Sequence, residues 1–530
     1  MLYLMISWRN DTLNIDYDYL LNKILMLKRA NRNFVILVPG FYPQLTEQLN
    51  KFGLLNAQVW QAFDDIQKIN RKIGAPLSFE SLPIQNFEKV YYPSGILLLK
   101  NGRVRAVVDL FEGMILSNIT YYNDFTSRII DYIDMFDSRG FLSRRCLFRK
   151  GILKFIYLFN DLGEIVLVVD GASNRIINTG SNGSYASYIG KTIDELVNSR
   201  IQRYLNSQEK PVHIVSTYNN YDGISFKKAP NEWKIVEVLP DDISFQKLSP
   251  DNIPNNVRFI RSAKNINTNN QNTISDSIKN ITMIPAFCTE FNLGSSNSMD
   301  MQLIFWNIED MDESQIKSSL SAVLNIILEF NDIGILMNVF NSAVLVDIQE
   351  FVKSYIEKKF DISLDSDNFK WVHEYFTAKK KHQLTANMQK QLKEKRKLED
   401  WKKLISANEA MNKIEYKNTE DIGVLNEVMH KARLLIDLSK SPRTFLQIKA
   451  ITNGIPQLNI SKSPFLVSRK NGIVLEDKAD LSSILKESIL FFLDNLNNWN
   501  ISLVTNVQLI RKFSLDKNIK ALEAEFERNE

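Results

Sequence analysis

Hydrophobic residues in the first ninety or so positions follow two alternating spacings. Short, nearly continuous apolar runs at residues 2–7, 33–38 and 57–60 favour buried strands. Between them, residues 17–30 and 42–52 place apolar side chains three and four positions apart, which is typical of one buried helix face. Strands that alternate with helices in this way predict a parallel sheet covered on both faces.

A different pattern begins near residue 88. Strand-like runs there are joined by short turn sequences, among them Asn101-Gly102, Lys150-Gly151 and residues 160–163. An Asn-Gly pair readily adopts the positive φ angles of a type I′ hairpin. Residues 88–182 are therefore predicted to form an antiparallel meander inserted into the first α/β domain.

The α/β pattern returns after this meander. A predicted helix over residues 192–205 and a strand over 212–216, which would complete the first sheet, place residues 183–261 in one domain with residues 1–87. Residues 262–280 are rich in Asn, Ser and Thr and poor in apolar side chains, which is typical of an exposed boundary segment.

Residues 281–500 repeat the alternation of strands and helices. Predicted strands cover residues 303–306 and 334–339, and predicted helices cover 314–330 and 348–359. The pattern predicts three further elements: a strand or turn over 369–376, one long charged helix over 377–404, and an amphipathic tail helix within 501–530.

Composition places the chain among ordinary globular proteins. Its 530 residues exceed what one core organises, so two or three domains are expected. The formal charge of +4 is small for this length and argues against a dedicated nucleic-acid binder. No apolar run reaches the roughly 18 residues that span a bilayer. The apolar N-terminus meets Arg9 without a basic lead-in, so no signal peptide is expected either.

The two cysteines, Cys146 and Cys288, lie far apart in the sequence, and the four histidines are scattered. A disulfide framework is therefore not expected, and a reducing cytosol fits better. The sequence predicts no structural zinc site, no other metal site and no cofactor.

The most distinctive stretch is residues 450–459 (AITNGIPQLN), followed by residues 470–477 (KNGIVLED). The first stretch predicts a helix that stops at Gly454 and turns through Pro456 into a strand. The second adds an Asn-Gly turn before an acidic pair. This order resembles the nucleotide-sugar half of GT-B glycosyltransferases.

Further motifs extend the resemblance along the chain. Taken in order, they make the sequence similar to the family of the first accessory secretory protein of the accessory Sec system of Gram-positive bacteria. One departure is Ser138, where relatives usually carry the second of two acids, which argues against a role for paired carboxylates there. The motifs are residues 60–67 (WQAFDDIQ), 137–143 (DSRGFLS) and 441–444 (SPRT).

The resemblance implies an α/β, GT-B-like fold with two Rossmann-like domains and an inserted antiparallel β-sheet domain. On this basis the domains are residues 1–87 with 183–261, the insertion 88–182, the second Rossmann-like domain 281–500, and a C-terminal helix in 501–530 that crosses back to the first domain.

The resemblance also implies a role in protein export rather than catalysis. Members of this family act in the cytoplasm in a complex with the second and third accessory secretory proteins. The complex binds a glycosylated serine-rich adhesin preprotein and delivers it to the accessory SecA-type motor ATPase. Peripheral contact with the inner face of the membrane is an additional expectation, and nucleic acid is not expected as a partner.

The resemblance predicts that transfer chemistry has been lost. Many retaining GT-B enzymes carry two glutamates eight positions apart, and Ser441 and Lys449 occupy those positions here. A lysine cannot accept a hydrogen bond from a sugar hydroxyl. No catalytic residue is therefore assigned. Ser441, Arg443, Lys449, Gly454 and Glu476 are predicted to mark a vestigial donor cleft.

Other interpretations of these residues stay open. Arg443 and Lys449 would suit a phosphate near a helix N-terminus, although an Arg443–carboxylate pair or simple surface capping is favoured. An active GT-B glycosyltransferase acting on the adhesin would need other acids, for which Glu476 and Asp477 are the candidates. A third class is a glycan-binding module with no transport role.

Acidic and basic residues elsewhere have competing interpretations. Asp64-Asp65 suits metal or acid–base chemistry, but capping of a helix is favoured. Arg139 is predicted to brace a tight turn through Asp137. Residues 379–403 hold ten Lys or Arg and three acids. This stretch is either a solvated face or a contact for an anionic membrane or an acidic partner.

Three tryptophans raise the question of sugar stacking, because a ring face suits the apolar face of a hexose. Burial in a core is the more frequent fate of aromatic side chains and is favoured here. The three are Trp306, Trp371 and Trp401.

Overall fold

The computed structural model describes most of the chain. The predicted boundary segment, from residue 263 onward, lies outside the described residues, as do Ser441, Glu476 and Asp477. The described residues are 1–6, 8, 18–82, 84–111, 115–180, 183–217, 230, 232–239, 256–262, 281–439, 442–475 and 481–527.

These residues fall into two compact units. The first holds the described residues up to Ser262, those from 281 to Ala286 and those from Ile519 onward, and the second runs from Phe287 to Asn518. The domain boundaries drawn from the sequence stay a prediction.

The first unit begins with the predicted alternation of buried strands and helices. The apolar runs become strands because both of their faces are covered, as expected for a parallel sheet. The elements are β1 (Leu2–Met5), α1 (Tyr19–Arg29), β2 (Phe34–Val38), α2 (Leu45–Lys51), β3 (Gln58–Gln61) and α3 (Ala62–Gln67).

An antiparallel sheet follows, in which each strand pairs with the next along the chain. Asn101 and Gly102 have φ angles of 54° and 69°, and Lys150 and Gly151 have 53° and 76°, so both predicted hairpin turns form. Among the described residues its strands are β4 (Glu88–Tyr92), β5 (Gly95–Lys100), β6 (Arg103–Phe111), β7 (Ile115–Asp124), β8 (Ile129–Asp137), β9 (Phe141–Arg149), β10 (Ile152–Phe159), β11 (Ile165–Asp170) and β12 (Ile176–Thr179).

The chain then returns to the parallel sheet with α4 (Ile193–Asn206), β13 (Val212–Thr217), β14 (Trp233–Leu239), β15 (Val257–Arg261) and β16 (Thr282–Met283). The strand order is β16-β15-β14-β13-β1-β2-β3. The expectation that residues 212–216 complete this sheet is wrong, because β13 lies beside β1 and three more strands follow. These strands escaped the sequence pattern because Lys234 and Glu237 interrupt the apolar run of β14 and β16 is only two residues long.

The second unit contains a parallel sheet of order β19-β18-β17-β20-β21-β22. Its elements, with the terminal helix that continues into the first unit, are β17 (Gln302–Asn307), α5 (Glu313–Glu329), β18 (Ile333–Asn338), α6 (Ser342–Phe360), α7 (Asp367–Lys380), α8 (Ala386–Lys395), α9 (Trp401–Met411), β19 (Ile414–Lys417), α10 (Ile422–Lys431), β20 (Ala432–Asp437), α11 (Thr444–Asn453), β21 (Gln457–Asn459), β22 (Gly472–Val474), α12 (Leu481–Leu493), α13 (Leu496–Lys512) and α14 (Leu515–Glu527).

The helical region after residue 366 differs from the sequence prediction. Residues 369–376 belong to helix α7 rather than to a strand or turn. The side chain of Ser366 caps α7 by accepting a hydrogen bond from the Phe369 N–H at 3.2 Å, and Phe369 and Val372 share its buried face. Their three-residue spacing outweighs the aromatic composition that favours strands.

The two long helices predicted downstream are each interrupted. Thr385 caps α8 through the Met388 N–H at 3.2 Å, which separates α7 from α8. The tail divides between α13 and α14 near Phe513. Within the first unit, Phe526 of α14 stacks on the His213 ring at a centroid distance of 4.7 Å. None of the helices in the described ranges is both long and apolar enough to cross a membrane.

Arg139, in the turn between β8 and β9, joins the antiparallel sheet to α3. Its guanidinium donates to both carboxylate oxygens of Asp137 and to both of Asp64, each at 2.8 Å. Its side chain is only 9% exposed. Burial by itself lowers the pKa of Arg139, but the hydrogen bonds and charges of Asp137 and Asp64 outweigh it and raise the pKa overall. The predicted ion pair with Asp137 is confirmed.

The favoured interpretation of Asp64 and Asp65 as capping residues is wrong. Gln61 occupies the N-cap of α3 and neither aspartate makes a capping hydrogen bond. Instead, Asp64 binds Arg139, and Asp65 accepts from Arg200 Nη2 of α4 at 2.8 Å. Burial raises the pKa of Asp64, and Arg139 opposes that rise. Both aspartates therefore hold neighbouring elements together.

Replacing Arg139 by methionine is expected to destabilise the first unit by about 3 to 5 kcal/mol, because Asp64 and Asp137 would lose their buried cation. Urea or thermal unfolding of the purified chain measures the effect.

The matched control is Arg32→Ala, which removes an exposed ion pair with Glu523. That change should cost less than about 1 kcal/mol. A midpoint for Arg139→Met as close to wild type as that of the control would show that the network does not stabilise the fold.

Candidate functional site

The carboxyl edge of the second sheet contains the point at which strand order reverses. From β17 the chain proceeds to β18 and β19 on one side and then returns to β20 on the other side of β17. In open parallel sheets, ligands bind outside the carboxyl ends of the strands at such a point. The candidate site is therefore the switch-point edge, which we define by the residues that end these strands and by the start of α11.

Four polar residues end neighbouring strands at the switch-point edge and are fully buried. Asn338 donates to Asn307 Oδ1 at 2.9 Å, and Thr419 Oγ1 donates to Asn338 Oδ1 at 2.7 Å. Sequence analysis missed this set, although the signal was present, since each residue is an Asn or Asp directly at the end of an apolar strand. The four are Asn307, Asn338, Asp437 and Asn459.

Asp437 holds the chain that leads from β20 to α11. Its Oδ1 accepts from Ser439 Oγ at 2.7 Å and from the Ser439 N–H at 3.3 Å, and its Oδ2 accepts from the Arg443 N–H at 2.8 Å. Burial raises the pKa of Asp437, and these hydrogen bonds, with one from Asn307, oppose the rise. Its lone pairs serve its own loop, so the carboxylate has a structural role.

Arg443 occupies the N-cap position of α11, as the sequence predicted, at the switch-point edge. Its guanidinium carbon lies 5.8 Å from the centroid of the Phe340 ring, and burial lowers the pKa of the guanidinium. Since helix N-termini favour anions, this position is suited to a negative group. The phosphate interpretation of Arg443 stays a prediction.

Lys449 and Gly454 lie farther along the same helix. Lys449 is half-buried with its Nζ 5.2 Å from the centroid of the Phe445 ring. Gly454 ends α11 with a φ of 74°, and a Cβ there would approach Leu503 Cδ1 to 2.6 Å. Arg443, Lys449 and Gly454 are thus brought together on one element. Ser441 and Glu476, the other members of the predicted cleft, lie outside the described residues.

The sequence across this region contains no acidic side chain. Between Asp437 and Glu476 there is no Asp or Glu, whereas six residues are Lys or Arg. The segment that supplies α11, β21 and β22 therefore offers cations but no carboxylate acceptor. The six are Lys440, Arg443, Lys449, Lys462, Arg469 and Lys470.

The three tryptophans considered for sugar stacking pack against protein. Trp306 is fully buried in the core of the second unit. Trp371 stacks on Tyr375 at a centroid distance of 5.2 Å, and its Nε1 donates to Gln391 Oε1 at 2.8 Å. Trp401 is partly buried against the same core. The preference for burial is confirmed for Trp306.

With this geometry in place, the family model of the first accessory Sec system protein matches residues 3–527 of the chain. The chain belongs to this family. A curated member, from Streptococcus gordonii, is 20% identical over 526 residues, which cover 96% of this chain and 92% of that protein.

Solved structures extend the likeness to the fold. A chain in the structure of accessory secretory proteins 1, 2 and 3 of Streptococcus pneumoniae is 18% identical, with a TM-score of 0.72 and 99% of each chain covered. The pneumococcal O-GlcNAc transferase GtfA, solved with UDP and GlcNAc, is 11% identical, with a TM-score of 0.64 over 99% of this chain and 98% of that one. The predicted GT-B-like fold class is thereby confirmed.

Substitution of Asp437 by asparagine is expected to lower the free energy of unfolding by about 1 to 3 kcal/mol, because an amide NH₂ would face N–H donors that now reach a carboxylate oxygen. Thermal unfolding of the full chain measures this loss.

Ser439→Ala is the matched control and should cost about 1 kcal/mol or less, since Asp437 keeps its backbone donors. Unchanged stability in Asp437→Asn would contradict the structural role of the carboxylate.

Proposed function

We propose that this protein is a non-catalytic, GT-B-like subunit of the accessory Sec export machinery. In this role it binds the glycosylated serine-rich adhesin preprotein together with the second and third accessory secretory proteins. The complex then delivers the preprotein to the accessory motor ATPase from the cytoplasm. One observation carries the non-catalytic part: the switch-point edge keeps the frame of a donor site, but the segment between Asp437 and Glu476 has no acid.

The physical argument concerns hydrogen-bond acceptors. A sugar donor presents hydroxyl groups, which need acceptors to be held for transfer, and correct positioning supplies much of the rate in such reactions. Lys449 has an ammonium group with three donors and no acceptor. Asp437 is a carboxylate, but its oxygens already accept from Ser439 and Arg443. Neither residue supplies what a transferase needs.

The proposed partners are supported by similarity. The related pneumococcal chain was solved in a structure of accessory secretory proteins 1, 2 and 3. This chain covers 99% of that relative and belongs to the same family. Assembly with the corresponding two proteins is the corresponding proposal here.

Two alternatives remain. An active glycosyltransferase modifying the adhesin is favoured by the likeness to the transferase GtfA. It would draw its acceptor carboxylate from Glu476 or Asp477, just after β22. A glycan-binding module without a transport role would bind glycosylated peptides without help from other proteins.

The first test combines assembly with turnover. Co-expression with the second and third accessory secretory proteins should yield a complex that stays together through size-exclusion chromatography. Neither that complex nor the chain alone should release UDP from UDP-GlcNAc or UDP-glucose above a protein-free blank, because an acceptor carboxylate is missing.

The opposite result has a clear signature. UDP release that disappears in Glu476→Gln would establish the transferase alternative. Binding of GlcNAc-bearing peptides by a chain that never assembles with its partners would establish the glycan-binding alternative.

A basic surface formed by α8 and the ends of α7 and α9, residues 379–403, is proposed as a contact for an acidic partner. In the described part of this stretch, Lys403 is the only cation in an ion pair, with Asp361 at 3.2 Å and Asp400 at 4.0 Å. Met388 and Leu392 are half-buried, so little apolar surface is left for insertion into lipid. An acidic protein surface is therefore favoured over an anionic membrane.

Lys390→Glu with Lys393→Glu should weaken assembly at low ionic strength by about tenfold, and high salt should remove the difference because exposed charges are screened within roughly 10 Å. Biolayer interferometry across a salt series measures it.

The matched control is Lys72→Glu with Lys100→Glu, which makes the same charge change at exposed sites of the first unit. Equal weakening by both pairs would point to net charge rather than to this surface. Flotation with anionic vesicles that depends on Lys390 and Lys393 would assign the surface to lipid instead.

A further inference from the structure

Arg433 is a buried cation at the end of β20 opposite the switch-point edge. The residue is only 8% exposed. Its guanidinium carbon lies 3.6 Å from the centroid of the Trp499 ring on α13, and Nη1 donates to Asn297 Oδ1. Its Nε has no hydrogen-bond partner among the described residues. Arg433 thus packs α13 against the sheet but is incompletely hydrogen-bonded.

The charge of Arg433 has no counter-charge within the described chain. Burial lowers the pKa of its guanidinium, with no carboxylate acting against that effect. Arg139 is buried to a similar degree but binds two carboxylates. Removing a guanidinium from water is costly unless an anion compensates it, and a Trp ring or a neutral amide does so only in part. Arg433 is therefore suited to an acid from outside the chain.

The surface beside Arg433 is apolar. Asn297 is exposed, and two residues farther along Met299 is 43% exposed. On α13, Leu496 is 65% exposed and lies one turn before Trp499. Buried Arg and Trp side chains surrounded by exposed apolar residues are typical of the energetic centres of protein interfaces.

We propose that this Arg433 surface, made of Arg433, Asn297, Met299, Leu496 and Trp499, docks one of the partner accessory secretory proteins. The partner inserts an Asp or Glu carboxylate toward the guanidinium and packs an apolar side chain on Met299 and Leu496. A carboxylate fits the planar fork of an arginine with two parallel hydrogen bonds. The inference rests on the proposed function, because it requires that the chain be a subunit of the complex.

The first arm of the test changes only exposed residues, so that folding is preserved. Affinity of the full chain for the second and third accessory secretory proteins is measured by isothermal titration calorimetry. Met299→Ser with Leu496→Ser should weaken binding by about tenfold or more, because both side chains lie at the proposed interface. Val504→Ser is the matched control, since Val504 is 59% exposed on another face of α13 and should leave the affinity unchanged.

The second arm separates docking from internal packing. Arg433→Met fills a similar volume without charge, and Arg433→Lys keeps the charge without the fork. Both should weaken binding, while Arg433→Met leaves the melting temperature of the isolated chain unchanged or raised, because a buried uncompensated charge is removed. A lowered melting temperature with unchanged affinity would mean that Arg433 only braces α13, and would overturn the inference.

The remaining outcomes distinguish the two levels of the argument. If the wild-type chain binds neither partner, the proposed function fails. If it binds but the Met299/Leu496 variant binds equally well, the Arg433 surface is not the docking site and the proposed function survives. If the same variant instead disrupts self-association seen by light scattering, the surface belongs to a second copy of the chain, which also overturns the inference.

Discussion

The candidate site depends on one buried carboxylate, that of Asp437. It lies at the carboxyl end of β20, where it accepts hydrogen bonds from Ser439 and from the backbone N–H of Arg443. These bonds fix the path from the strand to α11 and so place Arg443 at the helix start. A carboxylate committed to its own loop is less available for a substrate. The same interaction that builds the edge therefore restricts its chemistry.

Two buried arginines show how the molecule treats charge. Arg139 is enclosed by Asp64 and Asp137 and links the antiparallel sheet to α3. Arg433 has a comparable burial but only an aromatic ring and an amide beside it. Since an isolated charge is costly in a protein interior, the first arrangement is complete within the chain and the second is not. This contrast, rather than exposure alone, distinguishes an internal brace from a surface that fits a partner.

Family membership and the character of the site point in the same direction. The chain matches the first accessory Sec system protein over residues 3–527 and shares the fold of sugar transferases. A parallel sheet with a switch point is a stable frame that does not require catalysis, because its strands are held by burial and hydrogen bonding. Loss of the acidic residues from one edge leaves that frame intact. A transferase fold can in this way serve as a binding scaffold.

The sequence by itself determined the elements that local patterns specify. Apolar spacing predicted the alternation in the first unit, and Asn-Gly dipeptides predicted hairpins, because both signals depend on neighbours a few positions apart. Tertiary structure alone decided which charges meet. Asp64 reaches Arg139 across 75 positions, and Arg433 reaches Trp499 across 66. Local spacing carries no information on such pairs, since only the packing of distant elements brings them together and sets how far each charge is removed from water.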